Sequence, residues 1–318
     1  MLGKIVALGE VVADVYRGEA SSATELPFTA RPGGAPANVA IATARLGSKA
    51  SFIGSVGGDL FGDFILQVLR AEGVDVSAVR RCDPPARTSL AFVEIMASGE
   101  RSFTFYRSDP AADELLGPED ISREALSGAS VVTFGSIPLL REPARSAVRR
   151  AAELAGELGI SVAFDVNLRQ HLWESIEAAR ETVDPLVEHS HVVKLSDDEL
   201  EPLLGTTDAK EAAGMLLERG IFLVFVTFGK NGAFYATREF EGSVPAFEVK
   251  TVDPTGAGDA FLAASLVHLS EGVWNEARVR EAARRGAAAG AIACTACGAV
   301  QALPDRSELE GFTDGGGG

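Results

Sequence analysis

The chain has few cysteines for its 318 residues, and it has no apolar run long enough to cross a membrane. About eighteen consecutive apolar residues are needed to span a bilayer, and no stretch of this sequence reaches that length. Three cysteines are too few for a disulfide framework in so long a chain, which favours a reducing compartment. Together these absences predict a soluble, cytoplasmic protein.

Clustered metal ligands are also missing from the sequence. None of the four histidines shows the spacing of metal ligands. Cys294 and Cys297 form a lone C-x-x-C pair, and no second pair or nearby histidine completes a zinc site. The Ala-rich stretch around these two cysteines favours buried packing as their role.

The third deficit is in basic residues, since 29 Lys and Arg stand against 45 Asp and Glu and give a net charge of −16. A nucleic acid or an anionic membrane needs a basic face on its protein partner, so we expect neither partner. An acidic protein that binds a nucleoside triphosphate must supply positive potential locally. Helix ends, a few Arg or Lys side chains and a divalent metal are the available sources.

Apolar runs in the middle of the chain alternate with helix-like stretches. These runs cover residues 131–134, 160–164, 191–195 and 221–227, and a further run lies at residues 4–9. Such alternation predicts a parallel sheet with helices on both faces. We therefore predict an α/β, doubly wound fold in a single domain over residues 1–312, followed by a Gly-rich tail at residues 313–318.

One pair of β-type runs interrupts this alternation. Residues 88–96 and 101–106 are joined by a short turn, with no helix between them. This pattern predicts a β-hairpin inserted into the α/β fold.

Residues 253–261, DPTGAGDAF, are the stretch that most strongly indicates chemistry. They end an extended run at residues 247–252 and open an apolar helix. The small residues Gly256, Ala257 and Gly258 let backbone N–H groups approach a ligand, and the helix dipole adds positive potential, so this turn predicts an anion hole. Asp259 stands where a general base would remove a proton from an attacking hydroxyl. A plain tight turn with a first-turn acid is the alternative.

A second polar group lies near the start of the chain. Asp14 follows the first strand, where the ligand crevice of an open α/β sheet lies, and its carboxylate can accept hydrogen bonds from sugar hydroxyls. Gly33 and Gly34 let a substrate rest on the backbone, and Asn38 can donate and accept at once. A solvated turn acid for Asp14 and a helix cap for Asn38 are the alternatives.

Three further strand ends carry polar residues. Asn167 and Arg169 follow the run at residues 160–164, where the Arg suits a phosphate oxygen and the Asn suits a hydroxyl. Ser196 and Glu199 have the spacing of a capping box. A glycine turn at residues 227–232 lets backbone approach a nucleotide, although a plain hairpin explains it equally well.

Two of these motifs resemble the signatures of a known family. Residues 253–261 are similar to the C-terminal signature of the ribokinase/PfkB family of sugar kinases, and residues 33–40, GGAPANVA, are similar to its other signature. The likeness runs from about residue 4 to residue 304. Arg107 after the aromatic run, with Ala112-Asp113 before two leucines, resembles the fructokinase branch of that family.

The resemblance implies transfer of a phosphoryl group from ATP to a sugar hydroxyl. Asp259 would be the base, and the amides of Gly256, Ala257 and Gly258 together with Arg169 would hold the transferring phosphoryl. D-fructose is the implied sugar, with 2-keto-3-deoxygluconate, an aminoimidazole riboside and ribose as alternatives. A non-catalytic family member that binds a sugar or nucleotide is the alternative from another class. A dinucleotide site fits less well, because the third spaced glycine is missing.

The resemblance also assigns the remaining ligand contacts. The implied sugar contacts are Asp14, Gly33, Gly34, Asn38, Arg107 and Asn167. The implied nucleotide contacts are Thr227, Gly229, Gly232 and Lys194. Glu199 would act on Mg²⁺ through water, although Ser196 stands where the family usually has Asn. Asp253 and Thr255 would lie at a monovalent cation such as K⁺.

A small β lid is implied as well. Residues 15–30 and 87–107 would form this lid, which closes over the sugar and pairs with a second copy of the chain to make a homodimer.

Overall fold

A large central sheet with helices on both faces forms the body of the molecule, and a smaller sheet lies beside it. The computed structural model describes residues 3–18, 22, 24–95 and 101–315. The strands are β1 (Lys4–Leu8), β2 (Val12–Arg17), β3 (Phe28–Gly33), β4 (Ala50–Gly57), β5 (Val74–Asp75), β6 (Val79–Cys82), β7 (Leu90–Ile95), β8 (Arg101–Tyr106), β9 (Ala129–Phe134), β10 (Ser161–Asp165), β11 (Val192–Ser196), β12 (Leu223–Thr227), β13 (Ala233–Ala236) and β14 (Glu241–Val244). The helices are α1 (Ala35–Arg45), α2 (Leu60–Ala71), α3 (Ala144–Leu158), α4 (Ile176–Glu188), α5 (Asp197–Leu204), α6 (Ala209–Glu218), α7 (Ala257–Leu269), α8 (Glu276–Ala293) and α9 (Arg306–Asp314).

The central sheet has the strand order β14, β13, β12, β11, β10, β9, β1, β4, β5, and β6 also pairs with β4. Parallel pairing runs from β4 through β1, β9, β10 and β11 to β12. β13 and β14 extend this sheet with antiparallel pairs. The predicted doubly wound α/β fold is confirmed, because the crossovers between parallel strands carry helices to both faces.

β1 shows why the parallel strands were visible in the sequence. Successive side chains of a strand point to opposite faces. Ile5 and Ala7 therefore enter the core on one face of the sheet, and Val6 and Leu8 enter the core on the other. A strand covered on both faces is apolar throughout, so it reads as a short unbroken apolar run.

The smaller sheet has the order β3, β2, β7, β8. β7 and β8 are the two antiparallel strands of the predicted hairpin, and the turn between them, residues 96–100, lies outside the described residues. β2 joins this hairpin through a parallel pair with β7, and β3 pairs antiparallel with β2. The segments expected to form a lid, residues 15–30 and 87–107, overlap these four strands.

Asp14 lies in a different setting from the one expected. It does not follow the first strand in a loop but lies within β2 of the smaller sheet, opposite Arg31 of β3. The reason is that the apolar run continues after Gly9: Val11, Val12 and Ala13 are buried and carry the chain directly into the second sheet.

The C-terminal helix also differs from expectation, because α9 reaches two residues into the predicted tail at residues 313–318. Thr313 is buried, and the Arg284 guanidinium donates a hydrogen bond to its carbonyl oxygen, which fixes this end of the helix. Residues 316–318 lie outside the described part of the chain. Across the part that is described, no helix combines the length and apolar character needed to cross a membrane.

Candidate active site

The two glycine-rich motifs open two helices that pack against each other, α1 and α7. Gly34 precedes α1 with φ of 99°, and Gly256 precedes α7 with φ of 85°. Residues other than glycine rarely adopt either of these backbone conformations. In addition, a Cβ on Gly34 would lie 2.7 Å from the carbonyl oxygen of Glu10. Glycine at these positions therefore lets the two helix N-termini approach the ends of the parallel strands.

A hydrogen bond joins the two motifs across 221 residues of sequence. Asn38 Nδ2 donates to Asp259 Oδ2 at 2.7 Å, and both side chains are buried. Burial raises the pKa of Asp259 to about 6, against the opposing effect of the Asn38 hydrogen bond. The charge of Asp165 also raises this pKa, whereas the charges of Lys194 and Arg169 lower it. Asp259 is thus mainly ionised at pH 7 and has the pKa of an efficient proton acceptor.

A buried ion pair lies beneath the turn that opens α7. Lys194 Nζ, at the end of β11, lies 2.9 and 3.0 Å from the two carboxylate oxygens of Asp165, at the end of β10. A Cβ on Gly258 would lie only 3.2 Å from the same Nζ atom. Burial opposes the charge of Lys194, but the carboxylates of Asp165 and Glu199 outweigh burial and raise its pKa. A permanent positive charge therefore supports the predicted anion hole from below.

Glu199 connects two of the strand ends. Its Oε2 accepts a hydrogen bond from the backbone N–H of Ser196 at 2.7 Å, and its Oε1 accepts one from the N–H of Leu168. The first bond is the expected contact of a capping box. Glu199 is buried, and burial raises its pKa. Both carboxylate oxygens thus accept hydrogen bonds from backbone N–H groups, so Glu199 could bind an ion only through its remaining lone pairs or through a water.

Three of the residues expected to bind a sugar lie in or next to the smaller sheet: Asp14 in β2, Gly33 in β3 and Arg107 directly after β8. The Asp14 carboxylate lies against Gly33, where a Cβ would overlap it. Arg107, where the smaller sheet ends, lies 3.4 Å from Asp113 Oδ2 and 3.5 Å from Glu114 Oε1. The structure thus ties the end of the smaller sheet to the Ala112-Asp113 motif.

Asn167 and Arg169 lie in the loop that follows β10. Asn167 has a φ of 40°, and its carbonyl oxygen accepts a hydrogen bond from Ser136 Oγ at 3.3 Å. Arg169 is exposed, but its charge is close enough to lower the pKa of Asp259. This loop therefore brings the positive charge of Arg169 close to Asp259.

The residues expected at the nucleotide lie in the β12–β13 connection. Thr227 ends β12, and its hydroxyl donates to the carbonyl oxygen of Leu195 at 3.3 Å. Gly229 and Gly232 both have positive φ. A Cβ on Gly232 would lie 2.1 Å from the carbonyl oxygen of Val244, so the close approach of β14 already requires glycine there. A Cβ on Gly229 would have no neighbour within 4 Å, so no such contact requires glycine there.

Asp253 holds the segment before the anion hole in place. Its Oδ1 accepts from the N–H of Thr255 at 2.8 Å, and its Oδ2 accepts from the N–H of Gly298. The N–H of Asp253 donates to the carbonyl oxygen of Cys294 at 3.1 Å. Within residues 3–18, 22, 24–95 and 101–315, no group of three or more His, Cys, Asp or Glu side chains forms a metal cluster.

Sequence reasoning missed two features of this site. The Lys194–Asp165 pair had a signal, because a lysine inside the apolar run 191–195 must find a buried counterion. The signal for Glu10 was weaker, because the sequence shows only an acid that follows Gly9 within a longer apolar stretch. It is buried, and burial raises its pKa to about 8.

Known proteins are similar to this chain over nearly its whole length. Residues 2–306 match the profile of the pfkB family carbohydrate kinases. The chain belongs to this family. One relative of this pfkB kinase, Fructokinase-2 of Solanum lycopersicum, is 42% identical over 320 residues, which cover 99% of this chain and 97% of the relative.

Solved structures agree with the family assignment. A fructokinase double mutant from Vibrio cholerae O395, bound to fructose, ADP and potassium ion, is 37% identical, with a TM-score of 0.88 and 98% of each chain covered. An aminoimidazole riboside kinase from Salmonella enterica, complexed with aminoimidazole riboside and an ATP analog, is 33% identical, with a TM-score of 0.84 and coverage of 97% and 99%. The resemblance drawn from the two signatures is therefore confirmed.

The raised pKa of Asp259 predicts a stability cost for its charge. The folded pKa of about 6 exceeds the ordinary value of 3.8, so this group lowers stability as pH rises from about 4 to 6. We expect Asp259→Asn, which keeps the bond from Asn38, to raise Tm by about 2 °C or more at pH 7.5 and to leave it unchanged near pH 4. Thermal unfolding at the two pH values measures this, and a lower Tm for the variant at pH 7.5 would contradict it.

Proposed function

We propose that this pfkB-family kinase phosphorylates D-fructose with ATP, giving fructose 6-phosphate and ADP. The observation that carries the chemistry is the Asp259 carboxylate, held by Asn38 at the mouth of the amide turn that opens α7. The choice of sugar is supported by 42% and 37% identity to fructokinases over nearly the whole chain.

The proposed reaction is an in-line transfer. Asp259 accepts the proton of the primary hydroxyl at C6 of fructose, and the C6 oxygen bonds to the γ-phosphorus of ATP. The bond between the γ-phosphorus and the β–γ bridging oxygen breaks, and ADP leaves. The N–H groups of residues 256–258 would hold the transferring phosphoryl, with that of Ala257 shared with the carbonyl oxygen of Pro254, to which it donates at 3.2 Å. Lys194 adds positive charge beneath this turn. Arg169 approaches from the open side. A base with a pKa of about 6 is ionised at neutral pH and still basic enough to share the proton in the transition state.

The sugar would lie between the central sheet and the smaller sheet. Its proposed contacts are Asp14, Gly33, Gly34, Asn38, Arg107 and Asn167. Two buried polar atoms on this side, Asn38 Oδ1 and Arg107 Nε, have no hydrogen-bond partner among the described residues. An acceptor and a donor left open in this way suit a polyhydroxyl ligand, whose hydroxyl groups both donate and accept.

The nucleotide would lie over the ends of β11 and β12. Thr227, Gly229 and Gly232 would line its pocket, and ATP would arrive as its Mg²⁺ complex, with Glu199 acting on the ion through water. Retained water is the usual mode for Mg²⁺, which gives up its hydration reluctantly. Asp253 and Thr255 are our candidates for a neighbouring K⁺ site, since the Vibrio cholerae relative was solved with potassium ion.

A fall in turnover without loss of stability is the expected result of removing the base. For Asp259→Asn we expect kcat with fructose and Mg-ATP to fall at least ~100-fold, the usual contribution of general-base catalysis. Asp63→Asn is the matched control, because Asp63 is also a first-turn helix acid but is exposed on α2. ADP release measured across fructose, 2-keto-3-deoxygluconate, ribose and an aminoimidazole riboside would test base and sugar together. Near-normal turnover of Asp259→Asn would remove the central assignment.

We propose that the protein forms a homodimer in the cytoplasm. We take the chain as one kinase domain over residues 1–312, whose smaller sheet acts as lid and dimer surface. An aromatic stripe supports this role: Phe28 and Tyr106 are 45% and 62% exposed, and both rings pack on Phe92 at 5.2 and 5.0 Å. Light scattering should give about twice the 33.2 kDa chain mass. A monomer mass at micromolar concentration would exclude dimerisation through this surface.

A further inference from the structure

Glu10 is a buried acid at the point where the chain passes from β1 of the central sheet to β2 of the smaller one. It is 7% exposed, and its carbonyl oxygen lies against Gly34 of the first signature. Its carboxyl group faces the backbone N–H of Ala35 at the start of α1, and the charges of Asp113 and Asp259 act on it. Glu10 therefore lies in the link between the two sheets, close enough to Asp259 for their charges to interact.

One oxygen of this carboxyl group is unsatisfied. Glu10 Oε2 is buried and has no hydrogen-bond partner in the described part of the chain. A buried polar atom without a partner costs free energy, and native proteins keep such atoms mainly where a ligand or water completes the bonding.

The surroundings of Glu10 contain a matching donor. Glu10 and Arg107 line the same small cavity, together with Asp113, Glu114, Pro138 and Arg141. Arg107 Nε is also buried and is likewise unpaired among the described residues. The cavity has a volume of about 10 Å³, which is close to the least that one water-sized or hydroxyl-sized group needs. A hydroxyl is the group that can donate to Glu10 Oε2 and accept from Arg107 Nε at the same time.

The charge state of Glu10 fits this role. The groups that face it are the acids Asp113 and Glu114 of the segment after the smaller sheet, Asp259 of α7, and the cations Arg107 and Arg141. Burial, reinforced by the charges of Asp113 and Asp259, raises the pKa of Glu10 to about 8. At pH 7 the carboxyl group is therefore mostly neutral and adds no second negative charge beside the base.

We propose that Glu10 is a further sugar-binding residue, whose carboxyl group and Arg107 Nε together hold one hydroxyl of the substrate other than the hydroxyl that is phosphorylated. This inference rests on the proposed sugar kinase activity. No covalent step passes through Glu10, so its contribution lies in the affinity for the sugar and in the placement of its reacting hydroxyl.

The test compares Glu10→Met and Glu10→Gln with the unchanged protein. Met fills a similar volume without a polar atom, so we expect KM for fructose to rise at least about 10-fold, KM for ATP to stay within about 2-fold, and Tm to stay equal or rise. Gln keeps an acceptor oxygen, so it should restore most of the affinity for fructose. Calorimetric binding of fructose without ATP should follow the same order.

The control is Glu72→Gln, which removes a carboxylate paired with Arg45 at the far end of α1, about 15 Å along the helix from its start. It should lower stability and leave KM for fructose unchanged. Three results would overturn the inference: wild-type affinity for fructose in Glu10→Met, a fall in Tm with equal changes in both KM values, or no rescue by Gln. Absence of fructose turnover in the unchanged protein would instead refute the proposed function itself.

Discussion

The hydrogen bond from Asn38 to Asp259 is the contact on which the site depends. It joins the first turns of α1 and α7 in the protein interior, and thereby brings together two glycine-rich motifs that are far apart in sequence. Gly34 and Gly256 make the contact possible, because both helices begin from backbone conformations that side chains disfavour. The same bond aims the Asp259 carboxylate at the open end of the amide turn, where proton removal and phosphoryl binding can occur together.

Electrostatics explains how so acidic a chain can receive a nucleoside triphosphate. The net charge of −16 repels phosphate at long range, so attraction must be local. Lys194 supplies part of this local attraction. Its ammonium group is held below Gly258 by Asp165, and salt screens such a buried charge much less than an exposed one. The α7 N-terminus and Arg169 add to it. In the opposite sense, burial keeps Glu10 mostly neutral at pH 7, which limits the negative charge that faces the incoming phosphates.

The sequence was sufficient to predict the α/β fold, because parallel strands buried on both faces leave unbroken apolar runs. It was also sufficient to single out the glycine turn that opens α7, because the residues of this turn are contiguous. What it could not supply were contacts between distant segments. Asp14 was expected just after the first strand and before the lid segment at residues 15–30, since nothing local reveals that the second sheet already begins at Val12. Gly232 read as a nucleotide contact, yet the approach of Val244 already requires it. Glu10 becomes visible only when burial and an unpaired oxygen are seen in three dimensions.

The most direct measurement of the central claim is a crystal structure of the protein with fructose and a non-hydrolysable ATP analogue. We expect the primary hydroxyl at C6 to lie about 2.6–3.2 Å from an Asp259 carboxylate oxygen. We also expect the γ-phosphate to lie against the N–H groups of residues 256–258, with the hydroxyl oxygen in line for attack. A fructose molecule bound with no hydroxyl near Asp259, or a γ-phosphate held away from the start of α7, would contradict it.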